Sequence, residues 1–307
     1  MTRARHQRQR RASHRRARIL GVVVLVGATT LLGLQTWKSL QPTPSSSTLV
    51  SPSTTLAPVT TTTPSPLTQA LRHLLESRSG RVEIAALNLT SGQRVSVGAT
   101  TAQVEASVVK VEILAALLAQ SQARGETLTS RERALAQAMI EASDNTAATQ
   151  LWSDVGATRG MARFGQSAGL SRTTPSSCVL CTGFPWPGWG LSTTTPQDQL
   201  TLLGEIIHGG HLWSGANRHY ILHLMESVIA SERWGVSAGV PATATVALKN
   251  GWLPLNAAGT NWQINSVGWV RGRGRDYLLA MMSTDNASEQ YGIDTLNDAA
   301  RLVWRFE

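Results

Sequence analysis

Beyond residue 38 this 307-residue chain has 19 basic residues, and only Lys110 and Lys249 among them are lysines. Where charge alone is needed, the sequence writes Arg. Arginine keeps its proton at any working pH, whereas lysine can give it up or act as a compact point charge. Lys110 lies between Val109 and Val111 in the run Val108 to Leu118, which is apolar nearly all round. Such a pattern predicts a helix buried on most sides. An amine there has a perturbed pKa unless it is paired. Ser107 stands one turn earlier on the same face, near the helix start, where free backbone N–H groups and the positive dipole end favour a developing oxyanion. A serine with a lysine at i+3 is a nucleophile with a built-in proton acceptor, although the pair alone is a weak signal.

Two further clusters qualify. Ser143-Asp144-Asn145 follows a segment with helical character. A hydroxyl and an amide on one turn can pass a proton to a leaving group and hold a substrate carbonyl. The same three residue types are also the preferred helix N-caps. Lys249-Asn250-Gly251 ends an apolar stretch with strand character. A cation there could bind a substrate carboxylate, and a glycine lets a substrate backbone lie against a strand edge. The alternative is an ordinary Asn-Gly turn.

The elements that must position these residues follow from periodicity and turn signals. A helix is expected near Thr68–Ser77, then strands at Arg81–Leu89 and Arg94–Thr100 around the turn Ser91-Gly92. After the Lys110 helix come helices at Arg131–Ala142, Thr146–Asp154, Arg159–Ser167, Gln197–Ile207 and Ala216–Arg233. Ser171 to Thr195 is irregular and rich in Pro, Gly, Trp and Thr. Strands return at Thr243–Asn250, Asn261–Val270 and Asp276–Ser283, and a helix over Tyr291–Trp304 closes the chain. Two strands, a helical block, three strands and a last helix predict an α+β domain with helices against an antiparallel sheet.

In order and placement the three clusters match the S-x-x-K, S-D-N and K-T-G set. From about Thr68 to Glu307 the sequence resembles a class A β-lactamase-type serine hydrolase of the penicillin-recognising superfamily. The variant Lys-Asn-Gly-Trp-Leu-Pro is similar to exported actinobacterial members. The resemblance implies a five-stranded antiparallel sheet flanked by helices, in three αβα layers, plus a small helical subdomain with the site between them. It also implies roles. Ser107 attacks, Lys110 takes its proton, Ser143 shuttles a proton, Lys249 assists Ser143 and the substrate carboxylate, and Asn145 orients the substrate. The N–H groups of Ser107 and Trp252 form the oxyanion hole, and Asn250 and Gly251 complete the substrate-binding strand. The expected reaction is formation of an acyl-enzyme with a β-lactam or a peptidoglycan D-Ala-D-Ala-like amide, needing no cofactor and no metal.

Three departures bear on that expectation. The interval from Ser107 to Ser143 is short, so the helical subdomain should be trimmed. Asn250 removes a hydroxyl from carboxylate recognition. The resemblance also implies a deacylating glutamate before the helix start Thr194-Thr195-Pro196, yet no acidic residue lies between Asp154 and Asp198. Deacylation should then be slow unless Glu141 or another acid substitutes. The rival expectation is a wall-binding or scaffold protein that kept the fold without hydrolysis.

The charge is uneven. Eight arginines lie between Arg3 and Arg18, Lys38 follows, and no acidic residue precedes Leu67; taking those nine from the 28 basic residues leaves 19 against 19 acidic ones. The domain is formally neutral, which argues against a nucleic-acid-binding surface built on a basic patch. Residues 1–18 read as a basic cytoplasmic tail. Residues 19–37 read as one membrane-spanning signal-anchor with the domain outside; a cleaved signal peptide is the alternative. Residues 38–67, rich in Pro, Thr and Ser, read as a stalk reaching roughly 80–90 Å at about 3.1 Å per residue. The domain then spans 68–307 and is expected to be a monomer at the plasma membrane. Cys178 and Cys181, the only cysteines, are expected to form a disulfide outside the cytoplasm. The run Phe184 to Trp189 is either an aromatic wall beside the site or a plug that packs its loop. His208, His211, His219 and His223 lack the glutamate of a zinc H-E-x-x-H helix.

Overall fold

The computed structural model describes residues 64–178, Cys181 and residues 188–307. The tail, the anchor and almost all of the stalk lie outside the described residues, as does most of the aromatic run.

Ser65 caps the first helix, α1 (Pro66–Glu76), by accepting from Thr68 N, and Pro66 supplies a φ already fit for the first turn. β1 (Arg81–Asn88) and β2 (Arg94–Val97) form a hairpin, and the two-residue β3 (Gln103–Val104) leads into a 3-10 turn over Ala106–Val108. α2 (Val109–Ala123) continues from it and is buried all round, as its composition requires. α3 (Ser130–Glu141) opens with a reciprocal capping box between Thr129 and Glu132. α4 (Asn145–Asp154) and α5 (Ala157–Ser167) complete a helical block. β4 (Thr193–Thr194) pairs with β3, tying the irregular segment to the residues just before the Ala106 turn. α6 (Pro196–His208) starts with Thr195 as cap and proline at its first position.

α7 spans Gly215–Glu226, and a helix reaching Arg233 does not form. The chain leaves the helix at Ser227 and makes two 3-10 turns, Ala230–Glu232 and Gly235–Ser237, that carry it beneath the sheet edge. β5 (Thr245–Pro254), β6 (Trp262–Gly272) and β7 (Arg275–Asn286) follow, then α8 (Glu289–Phe306). The five long strands form one antiparallel sheet in the order β2-β1-β7-β6-β5. α1 and α8 pack together, α8 covers β6 and β7, and α6 packs on β1 and β7. The central strand β7 is buried over most of its length, as a strand covered on both faces must be.

β5 is an edge strand, and its register decides what that edge offers. Leu255 N donates to Asn261 O, and Leu255 continues the register in which Trp252 faces Ile264. Antiparallel ladders alternate with period two. Gly251 and Leu253 are therefore bonded to β6, while Asn250, Trp252 and Pro254 direct their backbone groups to the free edge. Among the described residues no helix is long and apolar enough to cross a membrane.

Candidate active site

A cleft of about 340 Å³ opens beside that edge. Ser107 lines it together with Ser143, Asn145, Trp189, Glu232 and Trp252. The size suits a small substrate.

Ser107 sits in the 3-10 turn, and Ala106 before it takes a left-handed conformation at φ 50. That conformation is costly for a residue with a Cβ, so the surroundings must impose it. Two neighbours do so. Asn265 on β6 donates from its side-chain amide to Val104 O and Glu105 O, both at 2.8 Å. Gly251 brings β5 so close that an added Cβ would lie 2.7 Å from Ser107 N and 2.8 Å from both Glu105 O and Val108 N. Only glycine permits this approach. The Ser107 amide and the edge of β5 are thus held side by side.

Ser143 also has a left-handed backbone, at φ 54. Asp144 accepts from Ala147 N at 2.6 Å and caps α4. Asp144 closes the helix while Ser143 and Asn145 turn inward to Lys110. Lys110, fully buried, donates to Ser143 O at 2.5 Å and Asn145 Oδ1 at 2.7 Å, with Ser143 Oγ at 3.0 Å. Burial, and then the nearby Lys249 charge, lower its pKa to about 6. A neutral amine has two N–H groups and one lone pair. The two pure acceptors take the N–H groups, leaving the lone pair for a hydroxyl proton. Ser107 Oγ itself makes no hydrogen bond to another described protein group.

Lys249, equally buried, donates to Ser143 Oγ at 3.0 Å, Asn250 O at 3.1 Å and Glu232 Oε2 at 3.3 Å. Burial lowers its pKa to about 8, against the opposing pull of Glu232. Lys110, Ser143 and Lys249 therefore form a continuous chain. Asn250 departs from its expected place. It is buried, does not line the cleft, and donates from Nδ2 to Glu232 O at 2.7 Å and Trp234 O at 3.0 Å. Its side chain clamps the 3-10 segment onto β5.

Trp189 lies over Lys110, the amine nitrogen 5.0 Å from the ring centroid, and its Nε1 donates to Thr149 Oγ1 at 3.1 Å. It lines the cleft yet is almost fully buried, so it is wall and plug at once. Glu141 faces a different surface hollow, with Arg133, Tyr220 and His223. Cys178 and Cys181 are joined as a disulfide. His219 and His223 stack on α7, and the described residues hold no cluster of three metal-ligating side chains.

Glu232 and Asn265 escaped the sequence reading. Asn265 had a signal, since Gln263, Asn265 and Ser266 interrupt a strand that the fold buries. Glu232 had none, because its place depends on where the helix before it stops.

The model of the "Beta-lactamase enzyme family" matches residues 66–133 and 123–306. The chain belongs to this family. It is 26% identical over 229 residues to "Putative lipoprotein LppW" of Mycobacterium tuberculosis, covering 73% of this chain and 69% of that one. Among solved structures it is similar to the TLA-1 extended-spectrum β-lactamase, with a TM-score of 0.70 at 17% identity over 78% of this chain and 97% of that one. The class A β-lactamase of Mycobacterium abscessus gives a TM-score of 0.65 at 22% identity, over 78% and 98%. The fold is thus that of the class A β-lactamases: a five-stranded antiparallel sheet, flanking helices and a helical region.

Proposed function

We propose that this family member is an exported serine acyl-transfer enzyme in which Ser107 is the nucleophile. The observation that carries the reading is the buried chain from Lys110 through Ser143 to Lys249, beside a serine that opens onto the cleft. Ser107 attacks the carbonyl of a β-lactam or a peptidoglycan-type amide, and its proton passes to Lys110. The oxyanion lies between the N–H groups of Ser107 and Trp252. As the C–N bond breaks, Ser143 delivers a proton to the leaving nitrogen and is resupplied from Lys110. Lys249 holds Ser143 in line with its charge.

Hydrolysis of the resulting ester is slow in this reading. Trp189 occupies the space against Lys110, and among the described residues no acid stands there to activate water. Export and a membrane tether belong to the same proposal. They rest on the basic tail and apolar segment of the sequence, and on the lipoprotein name of the mycobacterial relative.

The test is intact mass spectrometry of the protein after incubation with a fluorophosphonate and, separately, with a penicillin. A mass increase on the wild type, absent from Ser107→Ala and persisting for hours with the penicillin, is the expected result. No adduct from either reagent would leave the fold as a binding module and refute the proposal.

A further inference from the structure

Resting on the acyl-serine reading, we infer that Glu232 occupies the place beside Lys249 where a leaving-side carboxylate would bind, so that acyl donors with an uncharged or cationic leaving side acylate Ser107 faster than carboxylate-bearing ones, penicillins included.

Recognition of a carboxylate needs donors that are free to turn towards it. Lys249 has three N–H groups, and Ser143 Oγ, Asn250 O and Glu232 Oε2 take all of them. Asn250 spends its side-chain N–H groups on Glu232 O and Trp234 O. Among the described residues no arginine lines the cleft. Among the described residues Glu232 is the only charged one lining the cleft, with its side chain 12% exposed. Its position is built, because Asn250 fixes the backbone of the turn that carries it. An incoming carboxylate would have to displace one already bound to Lys249 and remain beside it. Trp252, Leu253, Pro254 and Trp262 complete an apolar wall, suited to a neutral group or to a cation on an aromatic face.

The experiment uses the full chain and three thioesters of one acyl group whose leaving thiols end in a carboxylate, a carboxamide or a trimethylammonium group. Thiol release gives kcat/KM for each, and a fluorophosphonate titrates active Ser107. The expected order is cation at or above amide, with the anion lower by between about tenfold and a hundredfold. Glu232→Gln should raise the anion relative to the amide by a similar factor. A purely structural role, or a role as general base, would scale all three thioesters alike and overturn the inference. So would an anion preference in the wild type, which is read without any variant that must fold. Fluorophosphonate labelling with no thioester turnover overturns the inference alone, since a cleft of this kind must accept the carboxamide. Absence of labelling as well removes the acyl-serine reading and the inference together.

Discussion

Gly251→Ala is the sharpest probe of how the site is held. The new Cβ would stand 2.7–2.8 Å from three backbone atoms of the Glu105–Val108 turn, where ordinary contact begins at 3.4 Å. None of the three can rotate away as a side chain could. Either the turn or β5 must retreat by roughly 0.7 Å, at a cost of about 1–3 kcal/mol for forced overpacking. In a domain of this size that lowers Tm by about 2–4 °C per kcal/mol. The movement opens the gap between the N–H groups of Ser107 and Trp252. Loss of one oxyanion donor slows reaction by about 10²–10³, and the same factor is expected here. Stopped-flow labelling by a fluorophosphonate measures the rate, and calorimetry the stability. Gly204→Ala in α6 is the control: its Cβ meets only Leu278 Cδ1 at 3.9 Å, and a better helix former should add about 0.5–1 kcal/mol. Wild-type labelling by Gly251→Ala, at unchanged Tm, would mean that the close approach of β5 does not shape the site.

Two predictions concern protons. The acylation rate should rise through about pH 6 as Lys110 becomes neutral, and fall above about pH 8 as Lys249 loses the charge that orients Ser143; a flat profile from pH 5.5 to 9 would exclude these roles. Glu105 is buried against Glu112 with neither of its oxygens meeting a donor from another group, so Glu105 itself keeps a proton and donates to its neighbour. Burial first, and Glu112 second, raise its pKa well above the usual carboxylate range. The unfolded chain releases that proton near pH 4.3 while the folded chain retains it, so stability is lost as pH rises from about 4.5. Glu105→Gln should therefore gain Tm over the wild type at pH 8 and much less at pH 5; calorimetry at both values checks this, and a larger gain at pH 5 would reverse the assignment.

The parts of the site governed by local chemistry were legible in the sequence. Lys110 announced itself as an amine in an apolar helix, and Ser143-Asp144-Asn145 as a turn able to cap and present side chains. The antiparallel sheet followed from the order of strands and helices. What depended on register was hidden. Nothing in Lys249-Asn250-Gly251 tells that the Asn250 amide turns away from the cleft, since on an edge strand that depends on which neighbours rise to meet it. The helix after Gly215 also looked longer than it is, because spaced apolar residues such as Ile229 continue its period through turns that are not helical. Glu232 was lost with that boundary. The two-residue strands β3 and β4 were too short for any alternation to appear.

The free edge of β5 has a consequence for how the protein behaves in a crowd. An unpaired strand beside an apolar cleft is where another chain's strand would dock and start an aggregate. Here the ladder is interrupted on both sides of Trp252. Pro254 has no N–H to offer, and the Asn250 carbonyl is already held by the Lys249 ammonium. What remains is the Asn250 N–H, the Trp252 pair and the Pro254 carbonyl, a broken ladder too short to template a strand well. The proline and the held carbonyl on this edge thus keep it from recruiting copies of itself.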